Sequence, residues 1–209
     1  MVVFLWTALD FRIILKASMK NREKLHLGAK PAPGDLAFVQ GYVNYISWVR
    51  QKTDINQPEA VKTWLVRHGL LSPSAPLGGR ETQTAFLLCE SLRSLLGTNS
   101  GAPIDPDAIR RLNRLVKRCR LAVIFGSDGT AVLHSSARGA EKALGRILAE
   151  VINATMDGNW QRLKICNNQN CRWVFFDGSK NRSGRWCSMA VCGARAKASS
   201  YRKRQRHQM

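Results

Sequence analysis

The sequence predicts an α+β chain in which a helix-rich N-terminal domain with one β-hairpin precedes a small cysteine-bearing module ending in a basic helix. Three observations predict it. Apolar residues recur at three- and four-residue intervals through most of residues 35–155, the spacing of one helix face. The pattern turns strand-like on either side of Gly126-Ser-Asp-Gly129, a hairpin signature. Four of the six cysteines then crowd into residues 166–192, and Trp160, Trp173 and Trp186 lie in or beside that otherwise polar stretch, so a second, small core is expected. The divisions are residues 1–32 as an N-terminal extension, 33–158 as the helix-rich α/β domain and 159–209 as the module. Whether the extension is real or translation starts later, for example at Met19, the sequence leaves open.

Each element has its local reason. Asp35 can cap a helix running to about Arg50 with Leu36, Val39, Val43 and Ile46 inward. Asn56 and Pro58 open a second helix, with Val61, Trp64 and Leu65 on one face and Gly69 as its left-handed stop. The Pro/Gly/Ser-rich stretch 72–79 reads as a loop. A third helix turns Ala85, Leu88, Cys89, Leu92 and Leu95 inward and closes at Gly97. Asp105-Pro106 begins a fourth with a stripe of Ile109, Leu112, Val116 and Cys119. Residues 121–125 and 130–134 form the hairpin. Helical period returns from Gly139 to Thr155 and ends at Asp157-Gly158.

Charge narrows the function classes. The 209 residues hold 33 Lys and Arg against 14 Asp and Glu, a formal net charge of +19, which points to a polyanionic partner. The last quarter, residues 160–209, has twelve cations and one acid, Asp177. No apolar run reaches the roughly 20 residues of a membrane span, because Asp10 and Arg12 interrupt the longest candidate. The N-terminus shows neither the basic region nor the cleavage site of a secretory signal. The expected location is therefore cytoplasmic and nucleoid-associated, where thiols stay reduced.

Cys166 and Cys171, then Cys187 and Cys192, are two pairs of identical spacing separated by fifteen residues. Two short thiolate pairs joined by a loop satisfy one tetrahedral Zn2+. Two disulfides or four reduced core cysteines are the alternatives, and the reduced compartment and the polar loop Asn167–Asn170 favour zinc. Four sulfurs leave no open coordination position, so the ion is expected to be structural and to hold a module too small for its own core. Cys166 and Cys171 would sit at the turn of a short hairpin made by residues 163–165 and 172–176. A helix from about Ser188 towards Arg206 would supply the last ligand from its first turn, a treble-clef-like zinc module. That helix sets Arg195, Ser199, Arg202 and Arg206 on one side and Ala190, Ala194 and Tyr201 on another, expected to pack on the hairpin. The candidate nucleic-acid contacts are Arg172, Lys180, Arg182, Arg185, Arg195, Lys197, Arg202, Lys203, Arg204 and Arg206. The tryptophans are assigned to packing rather than base stacking, and Cys89 and Cys119 to inert core. His26, His68, His134 and His207 share no ligand spacing.

The runs Trp160–Cys166, Cys171–Arg182 and Arg185–Arg195, with Lys197 and Tyr201–Arg204, resemble the CGNR zinc finger. Gly34–Asn44 and Trp64–Leu71 resemble the opening of the α/β domain associated with that finger, so the resemblance spans about residues 33 to 205. It implies a stress-induced bacterial transcription regulator. The asparagine of the signature is Ala194 in this chain, which alters base contacts if that position reads DNA and stability if it braces the fold.

No Ser-His-Asp order, paired carboxylates or phosphate-cradling glycine loop stands in a catalytic setting, so no enzyme is expected. The leading expectation is a regulator that binds double-stranded DNA, with an N-terminal domain that senses a small-molecule ligand or pairs with a protein partner. An RNA-binding protein and a zinc-stabilised interaction adaptor are the alternatives. Oligomeric state is open.

Overall fold

The computed structural model describes Ala29, residues 31–52 and residues 55–206. The N-terminal extension up to residue 28, with His26, and His207 at the other end fall outside the described residues. Helix α1 (Leu36–Gln51) lies at the centre and buries Leu36, Val39, Tyr42, Val43, Ile46 and Val49. Each such side chain contributes roughly 1.5–3 kcal/mol when fully removed from water. Asp35 precedes the helix but makes no capping hydrogen bond; its carboxylate faces Arg146 at 3.5 Å instead. Helix α2 (Gln57–Arg67) is capped by the Asn56 side chain and stopped at Gly69, with φ +67°. His68 is its C-cap and stacks on Trp64 at 3.9 Å between ring centres, a packing role.

Helix α3 (Gly79–Thr98) packs across α1, with the Tyr42 hydroxyl donating to the Ala85 carbonyl at 2.7 Å. It runs past Gly97, and Leu96 is fully buried while Leu95 is only partly so. Helix α4 (Pro106–Arg118) starts as expected, the Asp105 carboxylate accepting from the Asp107 N–H at 2.9 Å. Its stripe is rotated from the expected one. Ala108 and Leu115 are the buried positions, Cys119 is buried just beyond, and Ile109, Leu112 and Val116 flank them half-buried. Strands β1 (Leu121–Phe125) and β2 (Ala131–Ser135) pair antiparallel with Val123 opposite Leu133. The tip of this ribbon stands off the core, leaving Phe125 74% exposed. Helix α5 (Gly139–Met156) returns to the core through Ala143, Leu144, Ile147, Leu148 and Val151.

A single turn of 3-10 helix at Trp160–Arg162 leads into strand β3 (Leu163–Ile165), antiparallel to β4 (Val174–Phe176) with Lys164 opposite Phe175. The two faces of this hairpin go to different cores. Leu163, Ile165 and Val174 join Trp160 in the main helical core, whereas Phe175 packs with Cys166, Cys187 and Cys192. The second core expected from the sequence exists, but it is not separate, because strand alternation lets one hairpin serve both.

Polar side chains close the junction. The Asn44 amide accepts from the Val174 N–H at 2.9 Å and donates to the Val174 carbonyl at 3.0 Å, imitating a neighbouring strand on the open edge of β4. Gln40 donates to the same carbonyl at 3.1 Å. Asn99, the C-cap of α3, donates to the Trp160 and Leu163 carbonyls at 2.8 and 2.9 Å. Asn44→Leu keeps the volume but strands a buried N–H, a loss of about 1–3 kcal/mol. Urea unfolding of the zinc-loaded protein should show a lower midpoint by that amount, and an unchanged midpoint would remove this contact from the account of the junction.

Candidate metal centre and nucleic-acid interface

The cysteine ligands are delivered by three short pieces of backbone. Cys166 follows β3 directly, and its N–H donates to the Trp173 carbonyl at 2.8 Å, continuing the ladder into the knuckle. The turn is made by Asn168: its carbonyl accepts from the N–H groups of Cys171 and Arg172, and its side chain accepts from the Asn170 N–H at 3.0 Å. The same side chain donates to the Cys192 sulfur at 3.6 Å, tying the two cysteine pairs together. Arg172 takes the left-handed conformation, φ +53°, needed to leave the knuckle. Cys187 precedes a single π-helical turn, Met189–Gly193, which carries Cys192. Gly193 sits under Met189 and Trp186, where a Cβ would lie 2.9 Å from the Met189 sulfur.

The four sulfurs all lie within 4.8 Å of one another. Cys171 and Cys187 are 3.6 Å apart and Cys187 and Cys192 3.7 Å, far beyond a disulfide bond of about 2.05 Å. Ligands on a tetrahedron of 2.3 Å Zn–S bonds stand about 3.8 Å apart, so the donor set fits one Zn2+. All four residues predicted as ligands are therefore brought together, and Cys89 and Cys119 lie elsewhere, buried in the helical core. The thiols cannot ionise together without a cation. Hydrogen bonds from Cys171 and Cys187 pull the Cys166 thiol far down, while the same contacts push Cys171 up to about 12 and Cys187 higher still.

A second polar centre shapes the loop that follows β4. Lys164 and Asp177 are both buried and pair at 2.9 Å. The Asp177 carboxylate also accepts from the Ser179 N–H and hydroxyl and from the Gly184 N–H at 2.7 Å, while Lys164 donates to the Arg182 carbonyl as well. Burial raises the Asp177 carboxyl, but these hydrogen bonds outweigh it and hold it well below the ordinary carboxylate range. Gly184 belongs to this arrangement: a Cβ there would lie 2.7 Å from the carboxylate. The loop thus folds tightly around one acid, the only one among the module's residues, and presents Lys180, Arg182 and Arg185 outward. Composition marks Asp177 as a lone acid, and adjacency to Cys166 suggests that Lys164, with Arg172 and Arg185, helps keep the thiolates ionised; the structure instead commits Lys164 to Asp177 and the Arg182 carbonyl.

Helix α6 (Ala194–Arg206) carries Arg195, Lys197, Arg202, Lys203, Arg204 and Arg206 and buries nothing. The expected packing side is absent, since Ala190, Ala194 and Tyr201 are exposed, Tyr201 at 58%. A thirteen-residue helix of this composition has too little apolar surface to hold itself down. All ten cations proposed as contacts are on the surface. Six belong to α6 and three to the Asp177 loop. Arg172 is at the knuckle, where its carbonyl accepts from Arg93 of α3 at 2.8 Å.

Fold and site together define a zinc-finger protein with a helical domain in front of the finger. The family described as putative stress-induced transcription regulator, ABATE, matches residues 36–157, and the CGNR zinc finger matches residues 162–205. The chain belongs to the ABATE family of putative stress-induced transcription regulators and ends in a CGNR zinc finger with one structural zinc site. No curated protein shows significant similarity to it. Among the described residues no helix is long and apolar enough to cross a membrane.

Zinc binding must displace protons from these thiols, so apparent affinity should fall as the pH falls, by about tenfold or more per unit between pH 7 and 5. Competition with a chromogenic chelator measures this, and a flat profile contradicts four-thiolate ligation. The Asp177 pairing acts in a different window. Its depressed carboxyl contributes stability that is fully present above about pH 4, its unfolded value, and is lost as pH falls from there.

Proposed function

We propose that this protein is a regulator that binds double-stranded DNA through its zinc module, with helix α6 as the principal contact and catalysis forming no part of its role. One observation carries the reading: α6 buries no residue, holds six cations and no acid, and follows directly on the turn that carries Cys192 of the metal site. A helix with no buried residue and no acid to pair with its cations gains nothing from the rest of the fold, and a polyanionic partner would supply the missing stabilisation. The dimensions of an α-helix suit the major groove of DNA, and its Arg and Lys side chains suit phosphates and guanine edges. Cytoplasmic, nucleoid-associated location and a role in stress response accord with this reading and with the family's name. The N-terminal domain is assigned to sensing.

If about six cations meet phosphates, log affinity against log salt should have a slope near −5. Arg195→Ala and Arg202→Ala should each weaken duplex binding more than Arg50→Ala, whose residue is ion-paired to Glu90 on the N-terminal domain. Equal losses from all three indicate diffuse charge, and displacement of the duplex by excess structured RNA indicates an RNA-binding protein.

Ala194 takes on a different meaning now that it is exposed at the first turn of α6 rather than packed. An asparagine in that place has its amide free to pair with adenine in the major groove. Duplex selection with Ala194→Asn should therefore yield an adenine preference absent from the wild type. Identical selected sequences for the two proteins would return the position to a purely structural role.

A further inference from the structure

Helices α3 and α5 begin side by side around a cavity of about 330 Å3, lined by Arg80, Arg118 and Arg138 with Thr84, Ala140 and Leu144. The volume falls at the small end of ligand pockets. Three guanidinium groups reach it from three different segments: the first turn of α3, the last turn of α4 and the residue before α5. Two carboxylates also line it, and both are committed. Glu81 accepts from the Gly78 N–H at 3.0 Å, and Glu141 accepts from Arg118 at 2.7 Å. The side chains of Arg80 and Arg138 have no hydrogen bond or ion pair among the described residues. The N-caps of both helices, Gly78 and Arg138, supply no capping side chain to the first-turn N–H groups. The cavity therefore combines two unpartnered cations with an apolar floor of Ala140 and Leu144.

We infer that this cavity binds a small organic anion, a phosphate or carboxylate on a compact apolar body, and acts as the effector site of the N-terminal domain. The inference rests on the sensing role given to that domain above. The guanidinium groups of Arg80 and Arg138 can each offer parallel N–H donors to the anionic group, and the apolar part lies against Leu144. The two helices connect this cavity to the zinc module. Helix α3 spans about 30 Å, at 1.5 Å per residue, from Gly79 at the cavity to Thr98, and Asn99 beyond it holds the Trp160 and Leu163 carbonyls. Helix α5 leaves the cavity at Gly139 and ends at Met156, with three residues between it and Trp160. An anion that shifts either helix along its axis moves the base of the zinc hairpin.

Calorimetric titration of the zinc-loaded full chain with phenyl phosphate tests this, with phenol as the neutral control. Binding is expected for phenyl phosphate alone, unchanged in Arg195→Ala/Arg202→Ala and at least tenfold weaker in Arg80→Ala/Arg138→Ala. These arginines are on the surface, so the double variant should keep the wild-type melting temperature and its duplex affinity without anion. No saturable binding, or binding lost with the α6 arginines instead, overturns the inference. Saturating phenyl phosphate should also change duplex affinity at least threefold, and duplex should change phenyl phosphate affinity by the same factor. Anion binding without that reciprocal change overturns the effector role. Duplex binding that fails while the Arg80- and Arg138-dependent titration succeeds would count against the DNA reading alone.

Discussion

Strand β4 has a neighbour on one side only, and its open edge is closed by the Asn44 side chain, which both donates to and accepts from Val174. A three-residue strand is too short to hold itself, and an unsatisfied buried N–H costs as much as several good contacts return. The helical domain solves this by presenting an amide from the middle of α1, at the level where Val39, Val43 and Ile46 form the core. Everything that the zinc module does is referred to that frame. Leu163, Ile165 and Val174 pin one face of the hairpin in the helices, so the cysteines on the other side are held relative to the helical domain as well as to each other.

The metal and the Lys164–Asp177 pair then divide the work of ordering a stretch with little apolar mass. The sulfurs gather the knuckle, the π-helical turn and the start of α6 around one point. Asp177 gathers the loop from Gly178 to Gly184 around another. A buried pair of opposite charges adds less stability than its contact distance suggests, because both groups lose water. Its value here is definition: four donors converge on one carboxylate, and the loop has one way to satisfy them. The cations Lys180, Arg182 and Arg185 are thereby held outward on a short, fixed loop rather than on a mobile one.

Much of this was legible in the sequence, and what was missed has physical causes. The cysteine pairs were readable because metal ligation imposes spacing on the chain itself. Helix starts at Asn56 and Asp105 were readable because capping is local. The shared hairpin was not, since whether Leu163 faces its own module or a helix 60 residues away depends on tertiary packing that no local pattern encodes. The pairing of Asn44 with Val174, 130 residues apart in sequence, escaped for the same reason. On helix α4 the sequence pattern places Cys119 in the core correctly but centres the stripe on Ile109, Leu112 and Val116, which flank the buried Ala108 and Leu115, because small Ala108 carries little weight in a hydrophobic pattern. The packing side expected for α6 is absent for a simpler reason: Ala190, Ala194 and Tyr201 are too few and too small a set of apolar groups to make a face, and all three are exposed.

That exposed helix shows why the zinc matters beyond the fold of the module. Thirteen residues are near the limit at which an isolated helix is marginal, because fixing the first turn costs conformational entropy before hydrogen bonds accumulate. Helix α6 has no acid to pair with its cations and no buried residue, and its like charges repel. Two features offset this. The cations Lys203, Arg204 and Arg206 lie in the last turn, where the helix dipole favours positive charge. The first turn is made in advance by the residues around Cys192, whose N–H and that of Gly193 both bond the Ser188 carbonyl while the sulfur is held at the metal site. Zinc thus supplies the costly nucleus and the remaining residues extend it. The charge that destabilises the free helix is the charge that a phosphate backbone neutralises, with release of condensed counterions. The same six side chains weaken the helix alone and would strengthen it on a polyanion, so the proposed DNA contact would couple order in α6 to occupancy by DNA.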